Sequence, residues 1–156
     1  YTSEEYYEKC CLLRKYFKNP ALTTDIIVGF PGETEEEFEQ SRAFVDKVNF
    51  YETHVFQYSR REGTKAAAME HQVPEKIKNE RSRELIELSR KKQEAFENAF
   101  IGTVKEVLIE EVEICEDGLY GIGHTKEYVK IRQKLNQKQV NQMVNVEIES
   151  HLQIMH

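Results

Sequence analysis

The sequence predicts an α/β unit followed by an all-β unit, as two features of its pattern indicate. In roughly the first hundred residues, apolar positions at helical spacing alternate with short apolar runs that are typical of buried strands. After Gly102 the helical spacing stops, and apolar residues alternate with charged ones between turns marked by glycine. We therefore predict two domains, residues 1–98 and 99–156.

The first unit is predicted to alternate helix and strand. Residues 2–5 have the spacing of a capping box, and apolar side chains then recur at helical intervals until a proline ends the pattern. Residues 25–29 form a β-branched apolar run, which suits a strand buried on both faces of a parallel sheet. A second capping box, Thr34 with Glu37, begins the next helix, and residues 53–59 follow as the next strand. This order is typical of a βα barrel or a doubly wound sheet.

Charged and polar segments complete the first unit. The acidic residues 33–39 lie at the start of the second helix, where the helix dipole favours them, so we interpret them as a solvated helix start. Residues 59–72 form a polar loop, and a long helix begins at Pro74 with Arg81 and Leu85 on its apolar side.

The second unit is predicted to be a small closed or sandwiched β-barrel. Strand-like runs cover residues 104–109, 124–133 and 143–154. Turns are predicted at Asp117-Gly118 and at Gly121.

Composition excludes several classes of function. No run approaches the ~20 apolar residues of a membrane span, and the first residues lack the features of a signal peptide, so we expect a cytoplasmic protein. The net charge of −6 argues against indiscriminate nucleic-acid binding, so any RNA contact must be local. Cys10, Cys11 and Cys115 are too few and too poorly spaced for a disulfide framework or a metal site, and we expect reduced structural thiols.

A glycine-rich turn, residues 29–34 (GFPGET), joins the first predicted strand to a helix. It lacks the Lys-Ser/Thr pair of a phosphate loop and the spacing of a dinucleotide fingerprint. Because ligands of parallel α/β folds bind at the carboxyl ends of strands, the ends of both predicted strands are candidate ligand sites. A tight turn without a ligand explains the same spacing. The candidate residues are Gly29, Phe30, Pro31, Gln57, Tyr58 and Ser59.

Two arginines follow in the loop at residues 59–64 (SRREGT). Together with the hydroxyl groups of this loop they are suitable donors for a carboxylate or a phosphate. The alternative is that either arginine pairs with a glutamate on the surface.

A basic strip stands out in the acidic second unit. From residue 102 to residue 156 there are six Lys or Arg against nine Asp or Glu, yet five of the six bases fall between His124 and Lys138. On one strand, alternate residues would share a face and form a surface for phosphates and bases. The alternative is an ordinary solvated strand face. The strip consists of Lys126, Tyr128, Lys130, Arg132 and Lys134.

Two strings in order resemble the late barrel motifs of the radical S-adenosylmethionine methylthiotransferases. They are residues 24–34 (TDIIVGFPGET) and residues 54–67 (HVFQYSRREGTKAA). Residues 121–130 (GIGHTKEYVK) resemble the central strand of the TRAM domain, an RNA-binding β-barrel of the same family, so the resemblance covers nearly the whole chain. Gln57 and Lys65 stand where proline is frequent in the family, which affects the loop geometry rather than the fold.

The resemblance implies a fold, cofactors and a partner. Residues 1–98 would be the C-terminal βα units of a partial TIM-like barrel, and residues 99–156 an OB-like TRAM barrel that binds tRNA. The intact enzyme would use S-adenosylmethionine and two 4Fe-4S clusters, with the strand ends around the ligands and Arg61 available to an anionic group. The N-terminal domains, with their Cys-x-x-x-Cys-x-x-Cys motif, would precede Tyr1. We therefore expect this fragment to bind no cofactor, to hold no catalytic residue or metal, and to be inactive alone.

The His-Val-Phe opening and the Arg-Glu-Gly-Thr close of the second string look most like one branch of the family. That branch adds a methylthio group to C2 of N6-threonylcarbamoyladenosine next to the tRNA anticodon. The alternatives are the branch that acts on isopentenyladenosine and a non-catalytic RNA-binding module. A purely structural module predicts no affinity for tRNA, and a dinucleotide-dependent enzyme would need a glycine fingerprint that is absent.

Overall fold

The computed structural model describes residues 1–155 and mixes helices with strands, as the sequence predicts. The helices are α1 Ser3–Tyr16, α2 Glu35–Val48, α3 Lys65–Ala68 and α4 Glu75–Asn98. The strands are β1 Thr23–Val28, β2 Glu52–Gln57, β3 Thr103–Cys115, β4 Gly118–Thr125, β5 Lys130–Leu135 and β6 Gln142–Ile148. The chain separates into two compact units, and the division falls within α4, after residue 93. Across the described residues, none of the helices has the length and apolar character that crossing a lipid bilayer requires.

The first unit is built on a parallel pair of strands, β1 and β2, which align over their full length of six residues. Buried side chains of β1, α2 and α4, among them Val28, Phe38 and Leu85, share one core. Both predicted capping boxes are confirmed. In the second, the Thr34 N–H donates to the Glu37 carboxylate at 2.9 Å, and this bond lowers the pKa of Glu37.

The other face of this sheet is exposed, so the prediction of a strand buried on both faces is wrong. Ile27 and Phe56 are partners in the register, and 57% and 53% of their respective surfaces are exposed. Within residues 1–155, β1 has no strand at its other edge. A local apolar run specifies a strand, but burial of its second face depends on elements elsewhere in the fold.

The second unit is an antiparallel sheet of four strands in the order β5-β4-β3-β6. The long strand β3 has a bulge between Ile109 and Glu111. Before the bulge it pairs with β6 and, over the last three residues of that part, also with β4; after the bulge it pairs with β4. After β6 the chain returns through a 3-10 turn to β5, where Ile154 bridges Ile131. The sheet covers one apolar core. Its buried members are Phe100, Val107, Ile109, Val129, Ile131, Leu135, Val146, Ile148 and Ile154.

Glycines play two different roles in β4. The predicted turn at Asp117-Gly118 is confirmed, with Gly118 at a φ of 146°. The turn predicted at Gly121 is wrong, because this residue lies inside β4, where a Cβ would come within 2.7 Å of the Leu135 side chain. Gly121 therefore makes room for the core rather than reversing the chain.

The prediction of one strand over residues 124–133 is also wrong, because β4 ends at Thr125 and β5 begins at Lys130. Tyr128, in the turn between them, has a φ of 67°. Tyrosine rarely adopts this left-handed conformation, so the alternating pattern gave no sign of a turn.

Replacing Gly123 with alanine should destabilise the second unit. A Cβ there would lie 1.7 Å from the Leu108 carbonyl oxygen of the neighbouring strand, so the strands could not keep their spacing. We expect the free energy of unfolding, measured by urea denaturation, to fall by about 3 kcal/mol or more.

Gly102→Ala is the matched control. Unlike Gly123, Gly102 has a positive φ, of 79°, but nothing lies within 4 Å of an added Cβ, so only the backbone cost of about 1–2 kcal/mol should appear. Equal losses for the two variants would contradict the close approach at Gly123.

Candidate ligand site and nucleic-acid interface

The carboxyl ends of the two parallel strands lie side by side. The Tyr58 N–H donates to the Val28 carbonyl at 2.9 Å, which extends the pairing beyond β2. Just past this bond, the Phe30 ring meets the Tyr58 ring edge-on, with centroids 5.4 Å apart. The two loops that carry the predicted ligand residues therefore adjoin at one end of the sheet.

The turn after β1 requires glycine at its first position. Gly29 has a φ of 73°, and a Cβ there would lie 2.2 Å from the Lys78 side chain. The Gly29 N–H donates to the Glu33 carboxylate at 2.7 Å, and the Glu33 N–H donates to the Phe30 carbonyl at 2.9 Å. Because the turn satisfies its own N–H groups at Gly29 and Glu33, those donors are not free to bind a phosphate.

A buried arginine of α4 fixes this turn. Arg81 is 5% exposed and contacts the Glu33 carboxylate at 2.6 Å, the Glu33 carbonyl at 3.1 Å and the Glu35 carboxylate at 3.0 Å. Since only 14% of the Glu33 side chain is exposed, the interpretation of residues 33–39 as a solvated helix start is wrong for Glu33. Acidic residues are common at helix starts, so the pattern gave no sign of this buried partner.

Lys78, also on α4, holds the end of β2. Its ammonium donates to the Tyr58 carbonyl at 3.0 Å and pairs with Glu75, while its aliphatic stem lies over Gly29. One helix therefore fixes both strand ends. The sequence analysis did not predict this role, although two basic residues on the apolar side of a helix, Lys78 and Arg81, could have indicated it.

The predicted loop residues differ in whether their side chains already make hydrogen bonds within the protein. The Arg60 guanidinium donates to a backbone carbonyl of α3 at 3.0 Å, and the Gln57 amide donates to an asparagine of α4 at 2.9 Å. Ser59 and Arg61 are exposed, and the Arg61 side chain makes no hydrogen bond or ion pair with the described residues. The Tyr58 hydroxyl is buried and finds no hydrogen-bond partner among them.

Phe30 and the buried Pro31 line a groove of about 930 Å³. The start of α1, the open edge of β1 and one side of α2 form its other walls, with Tyr6, Asp25 and Phe44 among the lining residues. Its size and its mixture of aromatic and polar walls suit a small-molecule ligand.

The three cysteines do not lie together. The described residues contain no group of three or more side chains able to hold a metal. Cys10 is buried in the core of the first unit, and burial raises the pKa of its thiol. Cys11 is exposed, and Cys115 accepts a hydrogen bond from Arg132 at 3.2 Å.

The basic strip lies on two elements instead of one strand. Lys130, Arg132 and Lys134 alternate along β5 and share its outer face, whereas Lys126 and Tyr128 lie in the turn before it. The prediction of a shared face is thus correct within β5 and wrong for the turn residues. Contact with RNA stays a prediction for all five.

Carboxylates already pair with three of the four cations in this strip. Among the described residues, only Lys130 of the four makes no ion pair. The positive field of the strip is therefore weaker than the number of bases suggests. The pairs are Lys126 with Glu106, Arg132 with Glu113 at 3.5 Å, and Lys134 with Asp117 at 3.7 Å.

Two rings of β4 join this surface, and sequence reasoning missed both. The Arg132 guanidinium lies 3.7 Å from the centroid of Tyr120, whose hydroxyl donates to Asp117 at 2.5 Å. His124 stacks on Tyr128, with ring centroids 4.6 Å apart. Their place beside the bases of β5 follows from the pairing of β4 with β5, which sequence alone does not give.

No protein-family model matches the chain. It is 39% identical over 148 residues to a tRNA-2-methylthio-N(6)-dimethylallyladenosine synthase of Acetivibrio thermocellus, covering 95% of the chain and 31% of that protein. It is 40% identical over 150 residues to the threonylcarbamoyladenosine tRNA methylthiotransferase MtaB of Bacillus subtilis, covering 95% of the chain and 33% of that protein. A tRNA-2-methylthio-N(6)-dimethylallyladenosine synthase of Aquifex aeolicus is 47% identical over 111 residues, covering 71% of the chain and 25% of that protein. The chain thus spans a quarter to a third of the length of these curated relatives.

Arg81→Gln should destabilise the first unit, because it leaves the half-buried Glu33 carboxylate without its counter-ion. Removing one partner of a buried ion pair costs about 3–5 kcal/mol, and we expect the lower end of that range because Glu33 keeps 14% of its side chain exposed. Urea denaturation of the two proteins measures the difference.

Arg42→Gln serves as the control, since it breaks a pair with Glu39 in which the side chains are 41% and 45% exposed. That change should stay within about 0.5 kcal/mol. A loss for Arg81→Gln no larger than the control would mean that the turn holds its shape without the buried pair.

Proposed function

We propose that this chain, whose homologues are tRNA methylthiotransferases, is the C-terminal portion of an enzyme that adds a methylthio group to C2 of N6-threonylcarbamoyladenosine next to the tRNA anticodon. The observation that carries the proposal is a similarity of about 40% identity over 95% of the chain to relatives named for such activities. Because the chain spans only about a third of those relatives, the remaining domains of the same polypeptide are its proposed partners.

Residues 1–98 are proposed as the last βα units of a TIM-like barrel. The parallel pairing of β1 with β2 supports this, as do the core formed with the helices on one face and the exposed Ile27 and Phe56 on the other. In a barrel the helices cover the outer face, and the second face lines the interior. The free edge of β1 would then pair with a further strand.

The strand ends suit S-adenosylmethionine. Phe30 and Tyr58 offer aromatic rings, and the buried Tyr58 hydroxyl lacks a hydrogen-bond partner within residues 1–155. The Arg61 guanidinium, which makes no ion pair within the same residues, is available to a carboxylate. S-adenosylmethionine would supply the methyl group and the radical that activates the adenine C2–H bond. The chain's own residues would orient it and the target base, so their contribution is positioning and electrostatics.

Iron–sulfur clusters do not fit the residues of this chain. Cys10 is buried in a core, and the described residues hold no group of three metal-binding side chains. We propose that other cysteines of the polypeptide hold both 4Fe-4S clusters. The chain alone is therefore proposed to be inactive.

Residues 99–156 are proposed as a TRAM-type barrel that binds tRNA in the cytoplasm. The return of the chain from β6 to β5, with its bridge between Ile131 and Ile154, nearly closes the sheet, and the bulge in β3 supplies the bend that closure requires. The basic strip is the proposed RNA contact. It consists of Lys126, Tyr128, Lys130, Arg132 and Lys134.

The choice of substrate branch rests on the His-Val-Phe and Arg-Glu-Gly-Thr motifs. Over 95% of the chain, one relative from each branch is 39% and 40% identical, and a further dimethylallyladenosine relative is 47% identical over 71% of the chain. Overall similarity therefore does not favour the threonylcarbamoyladenosine branch. An isopentenyladenosine substrate is therefore the second candidate. A non-catalytic RNA-binding module would leave the strand-end surface without a ligand.

Deleting the gene in its host should remove one modified nucleoside from tRNA. In a nuclease digest analysed by mass spectrometry, 2-methylthio-N6-threonylcarbamoyladenosine should disappear and its unmethylthiolated precursor should accumulate, while the isopentenyladenosine derivative persists. The reverse pattern would assign the chain to the other branch. No change in either nucleoside would overturn the enzymatic proposal.

Replacing Lys130 and Arg132 with alanine should weaken tRNA binding and its dependence on salt. Each phosphate contact contributes about 0.7 to 0.9 to the slope of log affinity against log salt concentration. The slope should therefore fall by nearly two where both cations contact phosphates, and by about half as much where Arg132 keeps its pair with Glu113. Fluorescence titrations of labelled tRNA at several salt concentrations measure it.

Lys15→Ala with Lys18→Ala is the matched control, because it removes the same charge from exposed positions of the first unit. This pair should leave the slope close to that of the parent. A slope that is unchanged in the Lys130 and Arg132 variant would remove β5 from the RNA interface.

A further inference from the structure

We infer that the outer face of the second unit carries a platform for one unpaired RNA base. The platform consists of Met143, Leu108, His124 and Tyr128, with Lys130 at its end. The inference rests on the proposed RNA-binding function and adds to it the class of nucleotide that is bound.

The strand register places four of these residues in one row across the sheet. Met143 of β6 is opposite Leu108 of β3, Leu108 is opposite His124 of β4, and His124 is opposite Lys130 of β5. Directly opposite residues of antiparallel strands have Cβ atoms about 4.5–5.5 Å apart on the same face. Leu108 and Met143 are 39% and 52% exposed, so this half of the row is an open apolar surface. His124 beyond it contacts the Glu110 carboxylate at 2.8 Å, and Lys130 ends the row with a cation.

Tyr128 adds a fixed aromatic ring to this row. It is 72% exposed and stacks on His124 with an angle of 19° between the rings. Its strained backbone is held in place because its N–H donates to the Thr125 carbonyl at 3.0 Å and the next residue, Val129, is fully buried. A ring that is held before the ligand arrives loses little side-chain freedom on binding.

The surroundings of the row favour an unpaired base over a duplex or a protein. Ion pairs flank it, Lys126 with Glu106 on one side and Arg132 with Glu113 on the other, so the apolar surface is narrow. Lys130, without an ion pair in the described part of the chain, is available to the phosphate of the bound nucleotide. Bases within a duplex cover each other's faces, whereas a base in a loop presents its face to aromatic side chains.

The test compares two RNAs and four variants of the full chain. One RNA is an anticodon stem-loop with unpaired loop bases, and the other is a duplex of the same length, both titrated at one salt concentration. Tyr128→Asn removes the ring with a residue that tolerates the left-handed backbone, and Tyr128→Phe keeps the ring. Tyr16→Asn is the control, since Tyr16 is 74% exposed in α1. Met143→Gln changes the other end of the row at an exposed position.

We expect Tyr128→Asn to weaken stem-loop binding by about 5- to 150-fold with an unchanged salt slope and little effect on the duplex. Tyr128→Phe and Tyr16→Asn should stay within about twofold of the parent, and Met143→Gln should lose about threefold or more. If circular dichroism shows that Tyr128→Asn is unfolded, Met143→Gln decides the same question.

Parental stem-loop affinity in a folded Tyr128→Asn variant would overturn the platform while leaving the proposed function intact, and would point to a protein as the partner of this face. A parent chain that binds neither RNA would overturn the RNA part of the proposed function, and the platform with it.

Discussion

The burial of the Arg81 guanidinium against Glu33 determines how the first unit presents its strand ends. Charges taken out of water lose several kcal/mol of hydration, which is recovered only with good geometry and additional hydrogen bonds. The Glu33 carboxylate has both, because it also accepts the Gly29 N–H. Since Lys78 of the same helix holds the Tyr58 carbonyl, α4 sets the position of both loops. The candidate ligand surface is thus held in position by a helix that carries none of the candidate ligand residues.

On the outer face of the sheet in the second unit, charged side chains that are paired with each other lie beside exposed apolar side chains. Three of the four cations in the basic strip are paired with carboxylates, which is consistent with a chain that carries a net charge of −6 yet has a basic segment. Long-range attraction of nucleic acid by such a surface is modest. The RNA recognition proposed for this face would therefore depend more on shape and on stacking than on total charge.

The sequence predicts those features whose cause is local. Capping boxes marked the starts of α1 and α2, because a threonine and a glutamate three residues later satisfy the first N–H groups of a helix without help from elsewhere. The features that it did not predict have partners far along the chain: Glu33 is half-buried because Arg81 reaches it, 48 residues away. Likewise, Ile27 is exposed because nothing among the described residues covers it, and Tyr128 lies in a turn because its neighbours Thr125 and Val129 are anchored in the core.

The pairing of β3 with β6 has a consequence for the order of folding. The hairpins β3–β4 and β4–β5 connect neighbouring segments, whereas Thr103 finds its partner only at Ile148. Closing so long a loop costs chain entropy before the contacts compensate for it, and non-local pairing slows folding. A three-stranded meander of β3, β4 and β5 can therefore form first, and docking of β6 with the returning segment at Ile154 completes the core. Because that last step brings in Val146, Ile148 and Ile154, the exchange of β6 amide hydrogens would report the free energy with which this segment undocks from the meander.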